Sequence, residues 1–185
     1  MDNQRKIFIA RPHGMCAGVR RALDTVEAVL KSAPAPVYVL HEIVHNNFIV
    51  NRLKERGVIF AETLAEVPEG AVLLFSAHGV SAAVEEEARR RSLRTVDATC
   101  PLVKSLQSAA SKSFRPGEVL ILIGHRGHPE VEGVLGRVPA GGTVHVISGA
   151  AEVPGLPELP AGTPVRALSQ TTLNLEAVDE VLAAL

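Results

Sequence analysis

The stretch Ile7-Phe8-Ile9-Ala10-Arg11-Pro12-His13-Gly14-Met15-Cys16-Ala17-Gly18-Val19 sets the reading of the whole chain. An apolar run stops at a proline and a glycine, a cysteine follows, and an amphipathic pattern begins. Val19, Ala22, Leu23, Val26, Val29 and Leu30 recur at helical spacing. The order predicted is therefore strand over 7–10, tight turn, cysteine, helix from Ala17 to about Lys31. Open α/β sheets place their ligands at the carboxyl ends of strands. Unpaired amides and the helix dipole at such a position favour a thiolate.

The same pattern returns later. Arg94-Thr95-Val96-Asp97 reads as a strand, and Ala98-Thr99-Cys100-Pro101 delivers the second cysteine to the start of another helix. Pro101 suits a first helical turn, where its missing N–H costs nothing. Between the two units, strands are expected at 37–40, 58–60 and 71–75. Helices are expected after Asn47, ending at a Gly57 cap, and from Ala82 to about Ser92 with Ser81 as cap. Beyond Cys100, the apolar runs 119–123, 143–147 and 164–168 predict strands. Helices are expected from Pro129 to about Val138 and from Leu175 onward, and 149–164 reads as loop and turns. Strands alternating with helices indicate parallel sheets. The expectation is two similar parallel-sheet α/β domains, 1–98 carrying Cys16, His45 and His78, and 99–185 carrying Cys100, His128, Glu130 and Thr171.

Composition bounds the function. Of 185 residues, 46% are hydrophobic and only 3% aromatic, so the core is aliphatic. The net charge of -1 supplies no general attraction to nucleic acid or an anionic membrane. Arg89, Arg90 and Arg91 follow three glutamates and read as a solvated helix face. No segment reaches the roughly 18 apolar residues of a membrane span, and no signal peptide is evident. Two cysteines in such a chain point to the reducing cytoplasm and to metal or redox chemistry.

The polar residues expected at strand ends are unusual. They are Cys16, His41, Glu42, His45, Asn46, Ser76, His78, Thr99, Cys100, His125, His128, Glu130, Gln170, Thr171 and Thr172. Both cysteines and five of the seven histidines fall there, whereas His13 and His145 look structural or exposed. Imidazoles, hydroxyls and helix amino termini together make an anion site suited to phosphate. Neither GxxxxGK[ST] nor GxGxxG is present. Glu130 is a candidate proton donor if burial raises its pKa. Blander readings stand beside these: cysteines that only pack, a His41 that satisfies local backbone, and a Thr171-Thr172 pair that caps a helix. Cysteines 84 positions apart argue against a finger-type zinc site, while a catalytic zinc or an iron–sulfur cluster stays open.

Six segments, HGMCAGVRRAL, VYVLHEIVHNNFIVNRL, LLFSAHGVS, DATCPLV, IGHRGHPEVEG and LSQTTL, occur in this order between residue 7 and about 182. Together they closely resemble the LytB (IspH) family of 4-hydroxy-3-methylbut-2-enyl diphosphate reductases. The resemblance implies a trefoil of three α/β domains around a [4Fe-4S] iron–sulfur cluster, each domain giving one cysteine. It implies Cys16 and Cys100 as cluster ligands and His45, His78, His128 and Thr171 as substrate-binding residues. It implies His128, Glu130 and Thr171 as catalytic residues, a ferredoxin or flavodoxin as electron donor, and the non-mevalonate isoprenoid pathway as context. The resemblance covers the first two domains of that trefoil. The family's third cysteine and its serine/asparagine diphosphate grip are not in these 185 residues, so a partial chain with little turnover of its own is expected. The alternative reading is a non-catalytic metal- or redox-binding α/β module that uses the same two cysteines.

Overall fold

The computed structural model describes residues 7–9, 14–112, 115 and 117–185. Its first unit contains helix α1 (Ala17–Ser32), strand β1 (Val37–Leu40), helix α2 (Asn47–Lys54), strands β2 (Val58–Ala61) and β3 (Val72–Phe75), helix α3 (Ala82–Arg90) and strand β4 (Arg94–Asp97). The four strands are all parallel, in the order β2-β1-β3-β4. A two-residue period with both faces covered explains the unbroken apolar runs. Val37 and Val39 of β1 pack with Leu74 of β3 against Ala22, Val26 and Val29 of α1. Tyr38 and Leu40 pack with Leu73, Phe75, Val80 and Ala88 on the opposite face.

The second unit contains helix α4 (Pro101–Lys112), strand β5 (Val119–Ile123), helix α5 (Pro129–Leu135), strands β6 (Thr143–Ile147) and β7 (Val165–Ser169), and helix α6 (Leu175–Ala184). Its parallel sheet has the order β6-β5-β7, which puts the apolar β5 at the centre. Leu120 and Leu122 pack with Ala110, Val131 and Val134, and Val119, Ile121 and Ile123 with Ile147 and Val181. The fold class expected from the sequence, two parallel-sheet α/β units, is the one observed.

Some boundaries differ. Helix α2 ends at Lys54, and Gly57 closes the following turn with a φ of 88°. Helix α5 stops at Leu135, and a 3₁₀ turn occupies 150–155 inside the expected loop. The largest difference concerns the strand expected over 7–10. Ile7, Phe8 and Ile9 form no strand, are between 72 and 90% exposed, and pair with no neighbour among the described residues. An apolar run supplies propensity, but a strand also requires an edge to pair with. Ala10, Arg11, Pro12 and His13 lie outside the described residues.

The units meet closely. Gln107 Nε2 of α4 donates to the Val80 carbonyl at 3.4 Å. Arg137 Nη2, just past α5, donates to the same carbonyl at 3.2 Å and pairs with Glu85 of α3. Because strands within each sheet run parallel, β1, β3 and β4 release their loops at one edge and β5 and β7 at another. The loop after β3 touches the helix after β5.

Candidate functional site

Two cysteines begin the site. Cys16 is the N-cap of α1, and its Sγ accepts the Val19 N–H at 3.5 Å. Cys100 immediately precedes α4, with its N–H on the Ala77 carbonyl at 3.0 Å and its own carbonyl accepting Lys104 N–H at 3.0 Å. Both thiols are free. They face one point: a Cβ added to Gly18 would lie 2.6 Å from Cys100 Sγ and 3.9 Å from Cys16 Sγ. Two soft sulfur donors brought near each other, with Cys100 admitted by the missing Gly18 side chain, fit an iron–sulfur group, whose usual ligands are thiolates.

Three imidazoles form a second cluster. His45 stacks on His78 with centroids 4.3 Å apart, and His128 meets both edge-on at 5.2 and 5.4 Å. They come from three different loops: after β1, after β3 and after β5. Ser76 Oγ lies 3.3 Å from His78 Nδ1. Burial, followed by the neighbouring His45 and His128, pushes His78 down to about 4. Burial and then His45 also lower His128. His78 is therefore neutral at pH 7, and the half-exposed His45 is the ring most open to solvent.

One nitrogen from each ring falls within 4.8 Å of the others, close enough to invite comparison with a metal site. The tautomer opposes it. His128 caps α5, and its Nδ1 accepts the Glu130 backbone N–H at 3.1 Å. A neutral His128 therefore carries its proton on Nε2, a donor rather than a metal ligand. That N–H points at His45 Nε2, 3.2 Å away.

Glu130 is 1% exposed. Burial raises its pKa, and its bonds to Thr171 oppose that rise. The Thr171 N–H donates to one carboxylate oxygen at 2.6 Å, and the Thr171 hydroxyl donates to the other at 3.0 Å. Thr171 itself is exposed, so it connects a buried carboxyl to the surface. Its capping reading is overturned, because Asn174 caps α6. The buried Gln170 ties the two loops together. Its Oε1 accepts the His125 N–H at 3.1 Å, and its Nε2 donates to Thr172 Oγ1 at 3.0 Å.

The remaining strand-end residues have local partners. His41, at φ 59°, sits 3.3 Å from Glu62. Asn46 caps α2. Thr99 is buried, and its N–H bonds Asp97 at 2.9 Å. His145 lies on β6 away from the cluster, and His13 is outside the described residues. The sequence reading missed the glycines at close contacts. Gly18, Gly133 and Gly136 sit within or at the end of helices, where glycine is a poor choice, and that signal marks close approach.

The chain can now be compared with known proteins. A family model described as "LytB protein" matches residues 7–185. A 4-hydroxy-3-methylbut-2-enyl diphosphate reductase of Zymomonas mobilis is 49% identical over 180 residues, covering 97% of this chain and 52% of that relative. A Haemophilus influenzae protein of the same name is 48% identical over 181 residues, covering 97% and 57%. The solved reductase of Plasmodium falciparum superposes with a TM-score of 0.87 at 36% identity, over 94% of this chain and 54% of that one. A second solved reductase, titled the terminal enzyme of the non-mevalonate pathway, gives 0.78 at 36% identity, over 96% and 62%. The chain thus spans little more than half the length of the relatives it matches. With nearly all of its own length accounted for in this way, the chain belongs to the LytB family.

Proposed function

We propose that these residues form two-thirds of the active site of a 4-hydroxy-3-methylbut-2-enyl diphosphate reductase, divided as units 1–98 and 99–185. The observation that carries this reading is the pairing of buried Glu130 with exposed Thr171 at 2.6 and 3.0 Å. The reaction removes an allylic hydroxyl as water, consuming two electrons and two protons and giving isopentenyl and dimethylallyl diphosphates. Cys16 and Cys100 would hold an iron–sulfur cluster, [4Fe-4S] in this reading, which supplies the electrons and a Lewis-acidic iron when bound. A ferredoxin or flavodoxin would recharge it.

The chain's own residues bind, orient and protonate. His45, His78 and His128 present ring nitrogens to the diphosphate, with His128 donating from Nε2. Burial lifts Glu130 toward the proton-carrying form. Once protonated, its hydroxyl can donate along the 3.0 Å line to Thr171 Oγ1, whose own proton then turns outward to the leaving oxygen. The buried carboxyl never has to contact bulk water. Reprotonation follows the same path in reverse.

The test is anaerobic reconstitution with iron and sulfide. The diphosphate substrate and a chemical one-electron reductant are then supplied, with this chain alone and with it joined to the remaining portion of a relative. Product from the joined form, cut about 10²–10⁴-fold by Glu130→Gln, supports the proposal. A reconstituted joined form that makes no product rejects it in favour of a non-catalytic redox module.

A further inference from the structure

The three imidazoles and Glu42 form a line whose proton positions are forced from one end. A backbone N–H can only donate. The Glu130 N–H on His128 Nδ1, at 3.1 Å, therefore leaves the neutral ring's proton on Nε2. That N–H faces His45 Nε2 at 3.2 Å, which must accept. The proton of neutral His45 then sits on Nδ1, facing Glu42 Oε2 at 3.4 Å. In this state the His45–His128 pair satisfies itself and offers no donor to an incoming anion.

A proton added to His45 reverses the arrangement. Two N–H groups would then face each other across 3.2 Å, an unfavourable contact that a shared anionic oxygen resolves. The groups around His45 decide where the proton goes. On its own loop stands Glu42. From the loop after β3 comes His78, itself under the influence of His41, and from the loop after β5 comes His128, under the influence of His125. Glu42 is the one negative group among them, and it is placed on His45.

We infer that anion binding at this cluster takes up one proton at His45, and that Glu42 is the positioning residue that fixes the His45 tautomer and pairs with the resulting imidazolium. This deepens the diphosphate-binding reading and rests on it. It makes affinity a property of a carboxylate that does not itself touch the ligand.

The test uses the 185-residue chain with sulfate and inorganic diphosphate as probes. Sulfate has no ionisation near neutrality, so any proton taken up belongs to the protein. Imidazole nitrogen resonances at pH 8 are expected to show His45 protonated on Nδ1 alone without sulfate, and on both nitrogens when saturated. A pH-stat should record about one proton per sulfate, in line with one titrating imidazole. Glu42→Gln should weaken both anions about tenfold, the equivalent of about one pKa unit, at unchanged thermal stability. Glu42→Asp should restore most of the affinity. A Glu42→Gln protein with wild-type affinity and proton uptake, or a saturated wild type with neutral His45, overturns the coupling alone. Failure of the wild type to bind either anion overturns the coupling and the diphosphate reading together.

Discussion

Gly18 stands in the first turn of α1, where alanine would ordinarily stabilise the helix by about 1 kcal/mol. Its missing Cβ makes room for Cys100 Sγ, which lies 2.6 Å from where that Cβ would stand. Gly18→Ala is therefore expected to leave the cluster-free chain as stable as wild type or slightly more so, while displacing Cys100 Sγ and lowering iron and sulfide incorporation at least severalfold. Melting temperature and bound iron per chain separate the two effects, and unchanged iron loading would refute the role. His78 makes a second residue-level prediction. Its folded pKa, about 4, lies below the unfolded 6.5, so the unfolded chain binds more protons between these values. Stability is full above pH 6.5 and is lost as pH falls toward 4, by about 2–3 kcal/mol for a largely buried ring. Denaturant unfolding of wild type and His78→Gln across that range should show a clearly smaller slope in the variant, the remainder belonging to other groups such as His128. Glu130 has the opposite sign. Its raised pKa makes the folded chain the tighter proton binder, so stability declines as pH rises above the ordinary carboxyl value. Glu130→Gln should remove that decline. Residue identities at the site were legible because cysteines and histidines at strand ends are rare. The contact between Glu130 and Thr171 was not, because 41 residues separate them and only the packing of β5 beside β7 closes that gap.

At the scale of elements, α5 explains how two separately folded sheets share one site. It is a short helix, Pro129–Leu135, opened by a proline at its first position and capped by His128. Its Gly133 and the following Gly136 face the loop after β3. A Cβ at Gly133 would meet Gln107 Nε2 at 2.8 Å, and one at Gly136 would meet Ser81 Cβ at 2.3 Å. These contacts bring His128 within 5.4 Å of His78. Gly136 has an ordinary φ of -70°, so Gly136→Ala strains packing and not backbone. It is expected to cost about 1–3 kcal/mol by overpacking and to reduce anion binding as His128 is pushed from His78. Thermal unfolding and sulfate titration measure the two. Strands β1, β3 and β5 could be read from the sequence because both faces are buried and their apolar runs are continuous. The run at 7–9 has the same composition yet forms no strand, since pairing depends on an edge that local sequence does not encode.

For the molecule as a whole, the two units deliver histidines from both sheets to one cluster, while the cysteines approach from the starts of two helices. That division makes the proposed cofactor a bridge between units. The approach of α1 to Cys100 at Gly18 ties both sulfurs to one place, so cluster and unit packing are coupled. These 185 residues offer two cysteines, fewer than the four thiolates that usually hold such a cluster. A cluster reconstituted on this chain is therefore expected to be short-lived. Its visible absorption should decay with an iron chelator at least about tenfold faster than in a chain extended with the remaining portion of a relative, because each further thiolate removes an exchangeable position. Cys16→Ser and Cys100→Ser should each abolish retention, since one thiolate cannot bridge the units. Equal decay in the short and extended chains would mean that the two thiolates suffice, and retention in either serine variant would mean that the cluster does not lie between them.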